Sequence, residues 1–230
     1  MFGIDPLYYL MIAPAMLLGM WAQWRVRSAF QEGMNQPAPL SGAAAARMIL
    51  DQGGLHDVPV EEVPGELSDH YDPRTNSVHL SSAVYHTRSL AAVGIAAHEV
   101  GHALQNAHRY APFVMRNIAV PAAVVGPNLS IMLIIGGAIF SLPWLISVGL
   151  VVFSGVVAFQ LINLPVEFDA SARAKRLLSE LRVVDDQGAI VVRNVLSAAA
   201  WTYVAATLQA VLTLAYLFLR YGSSGRSRNE

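Results

Sequence analysis

The stretch that decides the fold is IAVPAAVVGPNLSIMLIIGGAIFSLPWLISVGLVVFSGVVAFQLINL, residues 118 to 164, which contains no Asp, Glu, Lys or Arg. It is too long for one crossing of a hydrocarbon layer, for which about 20 apolar residues suffice. Ser141 and Leu142, followed by Pro143, divide it into segments 118–140 and 143–164, each long enough to cross once. A two-residue link makes the pair a helical hairpin whose outer ends return to the same side. Composition agrees: 54% of the residues are hydrophobic and 13% charged, against roughly 25% charged in a soluble domain, so lipid must cover part of the apolar excess.

Two more apolar segments flank the hairpin at a distance. Residues 6–24, PLYYLMIAPAMLLGMWAQW, carry no charge and have aromatic residues at both ends, where rings sit at lipid interfaces. A cleaved signal peptide is the competing reading, but Asp5 stands where such a leader needs Lys or Arg. Segment 195–219 is uncharged and less oily, and either spans or packs on the others. About four transmembrane helices are therefore expected.

Basic residues assign sides. Seven lie in residues 25–117 and five in residues 165–194, with none in the 141–142 link. The positive-inside rule puts both charged stretches in the cytoplasm. Arg220, Arg226 and Arg228 in the polar tail 220–230 run against that rule if all four segments cross. The net charge of -1 excludes a nucleic-acid-binding surface. With no cysteine, a metal site must be built from His, Asp and Glu.

Residues 25–117 read as a small α+β lobe. LSGAAAARMILDQGG predicts a helix with Ser41 as N-cap and Gly53-Gly54 as its stop. VPVEEVPG predicts a short strand, and LSDHYDPRTNSVHLSS a hairpin turning at Asp72-Pro73-Arg74-Thr75-Asn76 and returning over 78–81. SLAAVGIAAHEVGHALQNA then predicts a helix capped by Ser89.

That last helix carries the chemistry. His98 and His102 are one turn apart, so both imidazoles can grip one ion from one face, and Glu99 flanks the ion as a base for water. A catalytic zinc takes three protein ligands and keeps a fourth place open. Glu167 and Asp169, in LPVEFDASARAKRLL, lie where the hairpin brings the chain back. Acidic groups so near lipid are costly unless liganded or paired. Glu167 is the expected third ligand, and Asp169 is expected to pair with Arg173 at i+4. One Zn²⁺ per chain is expected.

The run DHYDPRTNSVHLSSAVYHTRSLAAVGIAAHEVGHALQ, the two-helix hairpin and then LPVEFDASARA resemble the YugP-type neutral zinc metallopeptidases of bacterial membranes. The likeness covers residues 7 to about 215. More distantly the layout is similar to the HtpX heat-shock membrane protease and the CAAX prenyl proteases. The resemblance implies a zincin-like lobe, His98, His102 and Glu167 on zinc, and Glu99 as general base. It also implies that residues Ser77, Val78, His79 and Leu80 form an edge strand that pairs with an extended peptide substrate. Ser171 stands where the wider group has Asp, four residues after Glu167. Candidates for stabilising an oxyanion are His70, Tyr71, His79, His108 and Arg173.

The expectation is a membrane-embedded zinc endopeptidase in a bacterial plasma membrane, its site facing the cytoplasm and its substrate a peptide or membrane protein. The alternative is a non-catalytic scaffold or chaperone-like protein with a structural zinc, a site normally closed by four protein ligands.

Overall fold

A computed structural model describes residues 5–222. The chain is mostly helical, in the order α1 (Pro6–Met34), α2 (Gly42–Gln52), β1 (Val60–Val63), β2 (His70–Asp72), β3 (Ser77–Ser81), α3 (Ser82–His86), α4 (Leu90–Ala107), α5 (Ala111–Ile139), α6 (Pro143–Glu180) and α7 (Asp186–Tyr221). Two compact units divide it, the first made of residues 5–21, 115–164 and 203–222, the second of 22–114 and 165–202.

In the first unit the expected hairpin is present. Phe140 N–H bonds Gly136 O and Leu142 N–H bonds Gly137 O at 2.8 Å, closing the end of α5. Ser141 takes the left-handed conformation, φ 52°, that reverses the chain. The two rods touch closely at Gly149, where a Cβ would meet Ser130 O at 3.0 Å and Ile134 Cγ1 at 2.6 Å. Small residues let helices approach this way where lipid offers no hydrophobic drive. The end of α7 packs by Tyr221 and Leu217 on Ile134, Ile146 and Leu150, and Tyr216 Oη donates to Asp5 Oδ2 at 2.7 Å. The last turns of α7 therefore lie beside the starts of α1 and α6.

Among the described residues, three helices are long and apolar enough to cross a membrane: α5, α6 and α7. The expected first span forms a helix but falls short of that mark among the described residues, because Tyr8, Tyr9, Pro14 and Gln23 dilute its aliphatic content. The helices extend beyond the apolar segments. α1 runs on through Arg25 and Arg27 to Met34, and α6 does not end with its apolar run at Leu164 but continues through Pro165 to Glu180. Residues 165–194 are thus the distal half of α6, a turn, and the first turns of α7.

In the second unit the expected caps hold. Ser41 Oγ accepts from Ala44 N–H, Gly53 and then Gly54 (φ 73°) end α2, and Ser89 Oγ accepts from Ala92 N–H to start α4. The three-stranded sheet has the order β1-β3-β2. β2 and β3 form the expected antiparallel hairpin with His70 opposite His79, while β1 pairs parallel to β3 with Glu61 opposite His79. α4 lies in the middle of this unit: Val93 and Val100 join Ile49, Leu50, Val78, Leu80, Val166 and Val192 in one core. Burying each such side chain fully contributes about 1.5–3 kcal/mol, which fixes α4 against both the sheet and the α6 segment.

Candidate metal centre

The crossing of α4 and α6 is set by a glycine. Gly101 sits between the two histidines, and a Cβ there would meet Ala170 O at 2.7 Å and Ala170 Cα at 3.1 Å. The main chains touch because nothing projects between them. This brings Glu167, one turn before Ala170, over the face of α4 that carries His98 and His102.

His98 Nε2 lies 3.3 Å and His102 Nε2 3.7 Å from Glu167 Oε2. The ligand atoms of the three residues all lie within 4.8 Å of one another, and the imidazoles stand edge to face with centroids 4.8 Å apart. These distances are long for charge-assisted hydrogen bonds, which run at about 2.7–2.9 Å. The His98–Glu167 distance equals the edge of a tetrahedron around zinc with bonds of about 2.0–2.1 Å, roughly 3.3 Å, and the His102–Glu167 distance is a few tenths of an ångström longer. The donor set, two imidazole nitrogens and one carboxylate with no sulfur, also suits that ion. The three residues that the sequence reading named as ligands are thus brought together, and they form a cluster able to hold a metal.

Burial disfavours the Glu167 carboxylate, but His102 and His98, when they carry a proton toward it, outweigh burial and hold the carboxyl well below the ordinary range. Glu99 differs. It is 8% exposed, and burial pushes its carboxyl up to about 7, with the charge of His98 opposing and those of Glu167 and Asp69 assisting.

Each histidine is backed on its far nitrogen. His98 Nδ1 lies 3.1 Å from Ser171 Oγ, so the serine that replaces the expected aspartate still reaches a ring. His102 Nδ1 lies 2.9 Å from Gln105 Oε1, and Phe113 stacks beside that ring at 5.9 Å and 28°. Gln105 was not anticipated. Its signal was a fully buried-type position three residues after His102, on the same helical face. Asp169 pairs with Arg173 at 2.6 Å as expected and also accepts from Gln105 at 2.8 Å.

The edge-strand expectation for Ser77, Val78, His79 and Leu80 is overturned. β3 is the central strand, flanked by β1 and β2, and the Asp69 carboxylate takes the Ser81 N–H at 2.8 Å. Its backbone therefore has no free side for a peptide. The hairpin reading missed the parallel docking of β1, a contact between segments far apart in sequence. The remaining candidates divide. Tyr71 Oη donates to Asn76 Oδ1 at 2.6 Å and accepts from Asn106 at 2.8 Å, which commits it to the core. His79 Nε2 lies 2.7 Å from Ser77 Oγ, and His70 stacks on His79 at 4.7 Å. His108 Nδ1 lies 3.3 Å from Arg173 Nη1.

Residues 8–222 match the family described as "Putative neutral zinc metallopeptidase". The chain belongs to this family. A relative, described as "Putative membrane protease YugP" of Bacillus subtilis (strain 168), is 42% identical over 225 residues, 97% of this chain and 100% of that protein. No solved structure matches the chain. Family membership carries zinc with it, and the cluster of His98, His102 and Glu167 is where the described residues of this member could bind it.

Proposed function

We propose that the protein is a membrane-embedded zinc endopeptidase that hydrolyses peptide bonds with Glu99 as general base and His98, His102 and Glu167 as metal ligands. The observation that carries this is the convergence of three ligand atoms from two helices far apart in sequence, all within 4.8 Å of one another, close enough for one ion to draw together. Zinc bound there supplies Lewis acidity to a carbonyl and to water. Glu99, next to His98 and outside the ligand set, takes the proton of the attacking water and returns it to the leaving nitrogen. A structural zinc would need a fourth protein ligand, and among the described residues the cluster has three members.

The same reading places the chain in a plasma membrane. α1 joins α5, α6 and α7 as a fourth crossing, its Leu10, Leu17 and Met20 exposed to lipid. The basic stretches 25–117 and 165–194 face the cytoplasm. Of the three basic residues that run against the rule at the C-terminus, Arg220 lies 3.9 Å from Asp5, and Arg226 and Arg228 lie outside the described residues.

Glu99→Gln tests the reading. Zinc content should match the wild-type protein while cleavage of a casein or peptide substrate falls about 10²–10⁴-fold. Cleavage at the wild-type rate refutes the role of Glu99.

A further inference from the structure

Gln105 follows His102 by three positions and is wholly buried. Its Nε2 donates to the main-chain oxygen of Val166 at 2.7 Å and to Asp169 Oδ2 at 2.8 Å, while its Oε1 faces His102 Nδ1 at 2.9 Å. These partners fix the amide without ambiguity. A peptide carbonyl can only accept, and so can a carboxylate paired with Arg173. Both amide hydrogens must point at them, because the reverse orientation would set an oxygen against two acceptors. The oxygen that then faces His102 also can only accept, so the Nδ1 opposite it carries the proton. A neutral imidazole protonated there keeps its lone pair on Nε2, the atom turned toward Glu167. Phe113, stacked on the ring, opposes its rotation.

We propose that Gln105, held by Asp169 and Val166 O, is a positioning residue that sets His102 in the Nδ1–H tautomer before any metal arrives. The role rests on the zinc reading above. One side chain does two jobs. It selects the nitrogen that His102 offers, and by bonding Val166 it ties α4 to the residue just before Glu167 on α6. Buried partners of this kind usually change metal affinity by 10–100-fold when removed.

The test uses full-length protein in lipid nanodiscs, stripped of metal, with ¹⁵N-labelled histidine and the His102 signals assigned through His102→Gln. In the wild-type protein the ring nitrogen shifts should report Nδ1–H. Gln105→Met should abolish that preference and weaken zinc binding about 10–100-fold. Gln105→Glu keeps an acceptor toward His102 but sets a carboxylate against Val166 O and Asp169, so it too should bind zinc weakly. Adding Asp169→Asn supplies a donor to that carboxylate, though Val166 O stays opposed, and should recover part of the affinity with the ring still Nδ1–H, a signature that a purely structural role would not set. Should Gln105→Met fail to fold, the Glu and Glu/Asn pair decides the matter. An Nε2–H ring in the wild-type protein overturns the proposal, as does a wild-type tautomer and zinc affinity in Gln105→Met, or no recovery in the double variant. Wild-type protein that binds no zinc but shows Nδ1–H would sink the metal reading and leave the positioning of His102 intact.

Discussion

His98 and His102 leave the same helix one turn apart and face the same carboxylate, yet they are held differently. Behind His98 stands Ser171, a hydroxyl that can rotate to donate or accept. Behind His102 stands an amide whose every hydrogen is committed, braced in turn by Asp169 and Arg173. The difference teaches that two candidate ligands at one site need not be equally prepared. A hydroxyl adapts to whichever tautomer the ring adopts; a fully bonded amide dictates it.

The comparison can be broken most severely where both supports depend on one contact. Gly101→Ala puts a methyl 2.7 Å from Ala170 O, so α6 must move away from α4, carrying Glu167, Asp169 and Ser171 with it. Zinc binding should fall by more than about 100-fold, with a stability loss of about 1–3 kcal/mol, read by metal titration and thermal unfolding. Retention of wild-type affinity would mean that the helix contact does not set the site. Next in size is Glu167→Gln. It removes the charge both rings share, and zinc should be lost at micromolar metal while the helical circular dichroism stays unchanged. Smallest is Ser171→Ala. Because the hydroxyl adapts without dictating, its loss should weaken zinc by no more than about 10-fold, the low end for such partners, and well below the effect of Gln105→Met. Equal losses from the two changes would erase the asymmetry.

Much of this is legible in the sequence alone. Ser41 and Ser89 announced their helices because a capping hydroxyl acts within one turn. His98, Glu99 and His102 stood at a spacing whose meaning is local to a helix, and the Asp169–Arg173 pair is likewise an i to i+4 contact. Glu167 was legible for a different reason, as a carboxylate too close to lipid to be left alone. What escaped was nonlocal. The central place of β3 depends on β1 docking parallel to it, which no hairpin pattern encodes. Gln105 escaped because a glutamine on a helix is usually a solvated residue, and its burial depends on α6 arriving from sixty residues away.

The contact between Gly101 and Ala170 has a last consequence. Main chain rests on main chain there, with no flexible side chain in the gap to absorb a misfit. The spacing of His98, His102 and Glu167 is thus gauged by covalent dimensions common to every helix, and repacking in the surrounding core has little leverage on it.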